Sequence, residues 1–169
     1  MASTIALLRA VNVGGTGKLP MAELKAMAGG LGFENARTYI ASGNLLFETR
    51  LKEGAVKARL EKRLAQYAGK PVGVIVRTAA EMKRVAVDNP FAEEPGNRVV
   101  AIFLDAPPTD AALSGIRHHT DEQIALGKRE IYVHYPTGMG QSRLVIPAAK
   151  AGTARNMNTV AKLADLAKS

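Results

Sequence analysis

Three short polar stretches hold most of the residues whose types and spacing could do chemistry. The first is NVGGTGKLP, residues 12–20, with three glycines, a threonine and a lysine. A phosphate cradle of the Walker type needs Gly-x-x-x-x-Gly-Lys followed by Ser or Thr, so that backbone N–H groups wrap the phosphates and a hydroxyl meets Mg²⁺. Here Gly17-Lys18 is followed by Leu19, and Asn12 occupies the place of the first glycine. The dinucleotide pattern Gly-x-Gly-x-x-Gly also fails, because the glycines fall at 14, 15 and 17. What remains is Arg9, Asn12, Gly14, Gly15 and Lys18 around a glycine-rich connection that runs into a helix, where loose N–H groups attract anions. The second stretch is Ser42-Gly43-Asn44, and turn chemistry alone accounts for Gly43 and Asn44. The third is GTARNMNTV, residues 152–160, where Arg155, Asn156, Asn158 and Thr159 cluster at a helix start. Asn158 fits its N-cap, and a cap needs one such residue rather than four.

The surplus in the third stretch points to a ligand, with a structural role in docking the terminal helix as the plainer explanation. Arg9, Asn12 and Lys18 are expected to meet an anion from one side, and Arg155 and Asn156 from the other. Arginine forks onto phosphate or carboxylate, lysine supplies a point charge, and asparagine orients. An enzyme acting on an anionic substrate through the same residues, and a dimeric interaction module, are the alternatives.

Several chemistries are absent from the pattern. The chain has no cysteine, which removes disulfides, thiol catalysis and cysteine-ligated zinc. His118, His119 and His134 lack a carboxylate partner at ligand spacing, so no metal site is expected. Asp121 and Glu122 would alternate across a strand instead of forming an acid–base pair. No Gly-x-Ser-x-Gly elbow occurs, and no cofactor motif is present. Tyr39, Phe47, Tyr132 and Tyr135 fall in expected strands among basic residues, a pattern that allows base stacking, although the motif of an RNA-recognition sheet is missing.

The elements that must position these residues follow from the apolar pattern. Formal charge is +8 over 169 residues, with a pI near 9.9, 47% hydrophobic and 22% charged residues, which suits a folded protein with anionic partners, a small molecule or nucleic acid. From Lys128 onward seven Lys and Arg stand against Glu130 and Asp165. No secretory signal or apolar run of spanning length is visible, so a cytoplasmic protein without membrane contact is expected. STIALLRAV reads as a strand, Pro20 as the first helical position, and Met21, Leu24, Met27, Ala28 and Leu31 as a helix stopped by GGLGF. ARTYIASGNLLFET reads as two strands meeting at Gly43-Asn44. Val56, Leu60 and Leu64 form the inner stripe of a second helix, KPVGVIVRT is a strand, and AAEMKRVAVDNPF is a short helix.

The order β-α-β-β-α-β over residues 1–91 is that of a ferredoxin-like unit. AEEPGN, residues 92–97, reads as a linker into a second, smaller α+β part over 98–169. There RVVAIFLDA is a strand, PPTDAALSGIRHH opens a short helix, and DEQIALGKREIYVHYP is a hairpin about Gly127-Lys128. QSRLVIPAA reads as helical and NTVAKLADLAKS as the terminal helix, with no clear final strand between them.

IALLRAVNVGGTGKLPMAELKAMAGGLGFENARTYIASGNLLF, GMGQSRL and GTARNMNTVAKLADL, in that order, resemble the bacterial family catalogued as domain of unknown function 1697 (DUF1697). The resemblance spans essentially the whole chain. It implies a two-part α+β fold with a ferredoxin-like first part, and no assigned activity. Its recurring residues fall on Arg9, Asn12, Gly14, Gly15, Lys18, Ser42, Gly43, Asn44, Arg155, Asn156, Asn158 and Thr159. Met157 departs from an aromatic usual between the two asparagines.

Overall fold

The computed structural model describes residues 2–9, 19–40 and 43–167. The chain is an α+β protein with two four-stranded antiparallel sheets. It divides into two compact units, Met1–Glu81 joined by Asp165–Ser169, and Met82–Ala164.

The first unit runs β1 (Ala2–Leu8), α1 (Met21–Gly30), β2 (Glu34–Thr38), β3 (Asn44–Thr49), α2 (Glu53–Ala68) and β4 (Val74–Thr78), the order expected from the apolar pattern. Its strands lie β2-β3-β1-β4. Alternation sends Ala6, Leu8, Leu45, Phe47, Val74 and Val76 to one face, where they form a single core with Leu24, Met27 and Ala28 of α1 and Val56, Leu60 and Leu64 of α2. Phe33 and Phe47 stack within it, centroids 4.3 Å apart. Both helices end on glycines that the backbone requires. Gly32, at φ +86, lets the Phe33 N–H reach back to the Ala28 carbonyl, and Gly69, at φ +72, closes α2.

Two local expectations need correction here. Pro20 is the N-cap of α1 and not its first helical residue, because its ψ of 138° is still extended while its carbonyl accepts from the Leu24 N–H. Strands β2 and β3 do not meet at Gly43-Asn44. Asn44 is already the first residue of β3, and residues 39–43 make the connection.

The second unit contains β5 (Val99–Phe103), β6 (Gln123–Leu126), β7 (Glu130–His134) and β8 (Thr153–Asn156), in the order β6-β7-β5-β8. Helix α3 (Ala79–Val87) carries the chain out of the first unit, and α4 (Met157–Leu166) follows β8. The hairpin of β6 and β7 stands where Gly127-Lys128 places it. The final strand missing from the sequence pattern exists as β8, a polar edge strand whose segment Thr-Ala-Arg-Asn carries no apolar alternation. PPTDAALSGIRHH forms only a 3₁₀ turn at Asp110–Leu113, since Gly115 takes φ +73 immediately after. QSRLVIPAA is not a helix. It is an extended stretch with a bridge from Val145 to Arg117, followed by a 3₁₀ turn over Pro147–Ala151. Ile116, Leu144, Ile146, Ala148 and Ala149 from these turns cover Val100, Ile102, Ile131 and Val133 of the sheet.

Candidate functional site

At one end of the first sheet, β1 hands its last backbone groups to two glycines. The Leu8 N–H donates to the Gly43 carbonyl and the Arg9 N–H to the Gly73 carbonyl, each at 2.9 Å. Arg9 is half-buried and lies across Gly73, where a Cβ would stand only 2.9 Å from its Cδ. Gly43 itself sits at φ +87. Asn44 is fully buried, and its Nδ2 donates to the Tyr39 carbonyl while the Tyr39 N–H donates to the Asn44 carbonyl. That pair ties the connection down. Between them Ile40 takes φ +51, a strained value for a β-branched residue, and is 49% exposed. Arg9 and Asn44 therefore share one end of the sheet. Asn12, Gly14, Gly15, Lys18 and Ser42 lie outside the described residues.

The third polar stretch belongs to the second unit, and its side chains have local work. Arg155 lies in β8 opposite Ala101 and is 7% exposed. Its Nη1 donates to Thr153 Oγ1 at 2.7 Å and to the Ala154 carbonyl at 2.9 Å. Burial disfavours the charged guanidinium and pulls its pKa down to about 10. The N-cap of α4 is Asn156, not Asn158, because Asn156 Oδ1 accepts from the Thr159 N–H at 2.9 Å. The expected cap is off by two positions because β8 extends right up to the helix. Asn158 is exposed and its amide lies on Gly96, so that a Cβ at Gly96 would collide with it. Thr159 and Met157 are buried, which is what a packing residue at 157 would do.

A polar knot around Glu122 was not evident from residue spacing. The buried carboxylate accepts from Ser142 Oγ, from the Thr120 N–H at 2.8 Å and from Thr120 Oγ1 at 3.3 Å. These bonds, Ser142 foremost, hold its pKa at about 2. His119 Nε2 meets the Glu122 carbonyl at 2.6 Å, and Thr137 Oγ1 donates to Asp121 at 3.2 Å. Nearby, the buried His134 has Nδ1 2.7 Å from Gln123 Oε1, Nε2 3.5 Å from Glu94, and its ring beside Phe91. A carboxylate so strongly acidic is a poor base. Its bonds instead fasten the segment 137–144 to the start of β6. The signal in the sequence was Ser142 within GMGQSRL, a hydroxyl with no visible partner until the fold supplied one.

Among the described residues no group of three or more His, Cys, Asp or Glu could hold a metal ion. No helix among them is long and apolar enough to cross a membrane. A shallow groove of about 200 Å³ lies between α1 and α2, lined by Glu23, Ala26, Met27, Gly30, Leu31 and Arg63.

Comparison with protein families matches residues 1–132 to the model described as "Protein of unknown function (DUF1697)". No curated protein matches. Among solved structures, the chain is similar to a conserved bacterial protein, SP0830, from Streptococcus pneumoniae, at 23% identity, with 99% of each chain covered and a TM-score of 0.80. At that identity the likeness speaks for the fold.

Proposed function

Since the chain belongs to the DUF1697 family of proteins of unknown function, we propose from its own residues that it binds a small anionic molecule at the Arg9 end of the first sheet. We read the first unit as ferredoxin-like, from its β-α-β-β-α-β order and its strand order β2-β3-β1-β4. The observation that carries the proposal is the convergence at Leu8 and Arg9. The half-buried Arg9 stands at the sheet end where the Leu8 N–H meets Gly43 and its own N–H meets Gly73, and the polar glycine-rich stretch 12–18 follows it in the sequence. Arg9 forks onto a phosphate or carboxylate, Lys18 adds a point charge, and Asn12 and Ser42 orient the anion. Gly14 and Gly15 let backbone N–H groups approach it. Asn44 holds the loop without touching the ligand. Arg155, Asn156, Asn158 and Thr159 serve the second unit, so the proposal does not rest on them.

Isothermal titration with nucleoside triphosphates, nucleoside monophosphates and inorganic phosphate tests it. Binding is expected to weaken by about tenfold or more in Arg9→Gln, the scale of one lost charge-assisted hydrogen bond, and to stay unchanged in Asn158→Ala. Equal affinity in Arg9→Gln and the native protein would overturn the proposal.

A further inference from the structure

The densest positive charge in the chain is not in its C-terminal third but on α2 and its flanks. Residues 50–70 hold Arg50, Lys52, Lys57, Arg59, Lys62, Arg63 and Lys70 against only Glu53 and Glu61. One acid of that pair is already engaged. Glu61 Oε2 accepts from Lys57 Nζ at 2.9 Å and from the Val74 N–H at 2.9 Å, and Lys57 also donates to the Val74 carbonyl. Lys57 and Glu61 are thereby turned to the edge of the sheet. Arg59, Lys62 and Arg63 stand at i, i+3 and i+4, on one face of the helix, with Gln66 a turn further on. Arg59 and Lys62 are exposed, Arg63 half-exposed, and none of the three is in an ion pair among the described residues.

We infer that this face of α2 docks on the phosphate backbone of a nucleic-acid duplex. The row from Arg59 to Gln66 is straight and about 10 Å long at 1.5 Å per residue, a linear cation array opposite a linear polyanion. Two of its three cations are arginines, whose planar forks suit phosphate oxygens. Tyr67, 42% exposed at the end of the row, can lie against a sugar or an unpaired base. An anionic membrane fits less well. An interfacial helix needs a free apolar face, and that of α2 (Val56, Leu60 and Leu64) is spent in the core. Glu23 lines the shallow groove beside Arg63, so the backbone rests on the ridge of cations and not in the groove.

Fluorescence anisotropy of a labelled DNA duplex, titrated with the full chain over a range of salt, tests the inference. The variant Arg59→Gln/Lys62→Gln/Arg63→Gln keeps good helix formers at surface positions and so keeps the fold, which circular dichroism verifies. Its plot of log affinity against log salt is expected to be shallower by about 2 to 3, with affinity lower by on the order of a hundredfold at 0.1 M salt. Arg9→Gln should bind the duplex as the native chain does, which separates this surface from the small-anion site. No duplex binding at low salt, an unchanged salt slope in the triple variant, or capture by phosphatidylserine vesicles in place of the duplex would each overturn it.

Discussion

In both units the third strand joins the second to the first, and the fourth pairs with the first on its other side, giving β2-β3-β1-β4 and β6-β7-β5-β8. The likeness continues beyond the strands. Each fourth strand runs straight into a helix, β4 into α3 and β8 into α4, and each helix is capped by the last strand residue. Thr78 and Glu81 form a reciprocal capping box at one, and Asn156 caps the other. One residue before each cap is a buried arginine, Arg77 at 1% exposure and Arg155 at 7%. Both turn Nη1 onto the carbonyl of the preceding residue, Val76 or Ala154. The difference is in the cover. Helices of 10 and 16 residues connect the first sheet's strands, whereas the equivalent connections of the second hold 3₁₀ turns, one of 4 residues between β5 and β6 and two, of 3 and 5 residues, between β7 and β8. Strand pairing therefore sets the order, and the cover needs only apolar side chains at the right depth, not helices.

Core truncations test that lesson with the largest effects. Phe47→Ala in the helix-covered sheet should cost about 3–5 kcal/mol in urea unfolding, and Ile131→Ala in the turn-covered sheet about 2–5 kcal/mol. If Ile131→Ala fell well under that range, the turns would be a looser cover than their apolar contacts imply. Next is Gly152→Ala. A Cβ there would run into the Phe103 carbonyl, which is backbone and cannot step aside, so a loss of about 1–3 kcal/mol is expected. Gly96→Ala meets the Asn158 side-chain amide first and its backbone nitrogen only at 3.3 Å, so adding Asn158→Ala should restore most of its stability. The two caps should be nearly equal, with Thr78→Ala and Asn156→Ala each costing about 1 kcal/mol by thermal unfolding. A much larger loss at Asn156 would end the equivalence.

The smallest effect is confined to acid. Glu122 has a folded pKa of about 2 against an ordinary 4.5, so its stabilisation is complete above pH 4.5 and is lost as pH falls towards 2. The melting temperature of the native chain should drop through that window more than that of Glu122→Gln. Parallel curves for the two would remove Glu122 from the account of the second unit.

The first unit was legible because its helices announce themselves. Val56, Leu60 and Leu64 at spacing four, and glycines at both helix ends, leave little choice. The hairpin of β6 and β7 was legible for the same reason, two apolar runs about Gly127-Lys128. β8 was not, since its inward residues are Thr153 and Arg155, and a buried arginine on an edge strand defeats any reading that equates polar with exposed. The cap at Asn156 was missed by two positions for the same cause. Of the candidate site, the polar stretches were visible at once. Which of them had structural partners was not, because Arg155 finds Thr153 and Asn158 finds Gly96 only after β8 is laid beside β5. The cation row on α2 was countable in the sequence, but the withdrawal of Lys57 and Glu61 to the sheet edge was not.

One contact bears on how the chain comes to be folded at all. Arg37, on β2, donates through Nη2 to the carbonyl of Leu166 at 2.6 Å, and Asp165–Ser169 belong to the first unit. On a ribosome, the N-terminal sheet and its two helices emerge first but lack this piece. Residues 82–164 must be made before it arrives, roughly 4–17 s at 5–20 residues per second. The nascent first unit spends that interval with its β2 arginine waiting for a carbonyl not yet synthesised, and translation sets the pace at which it is completed.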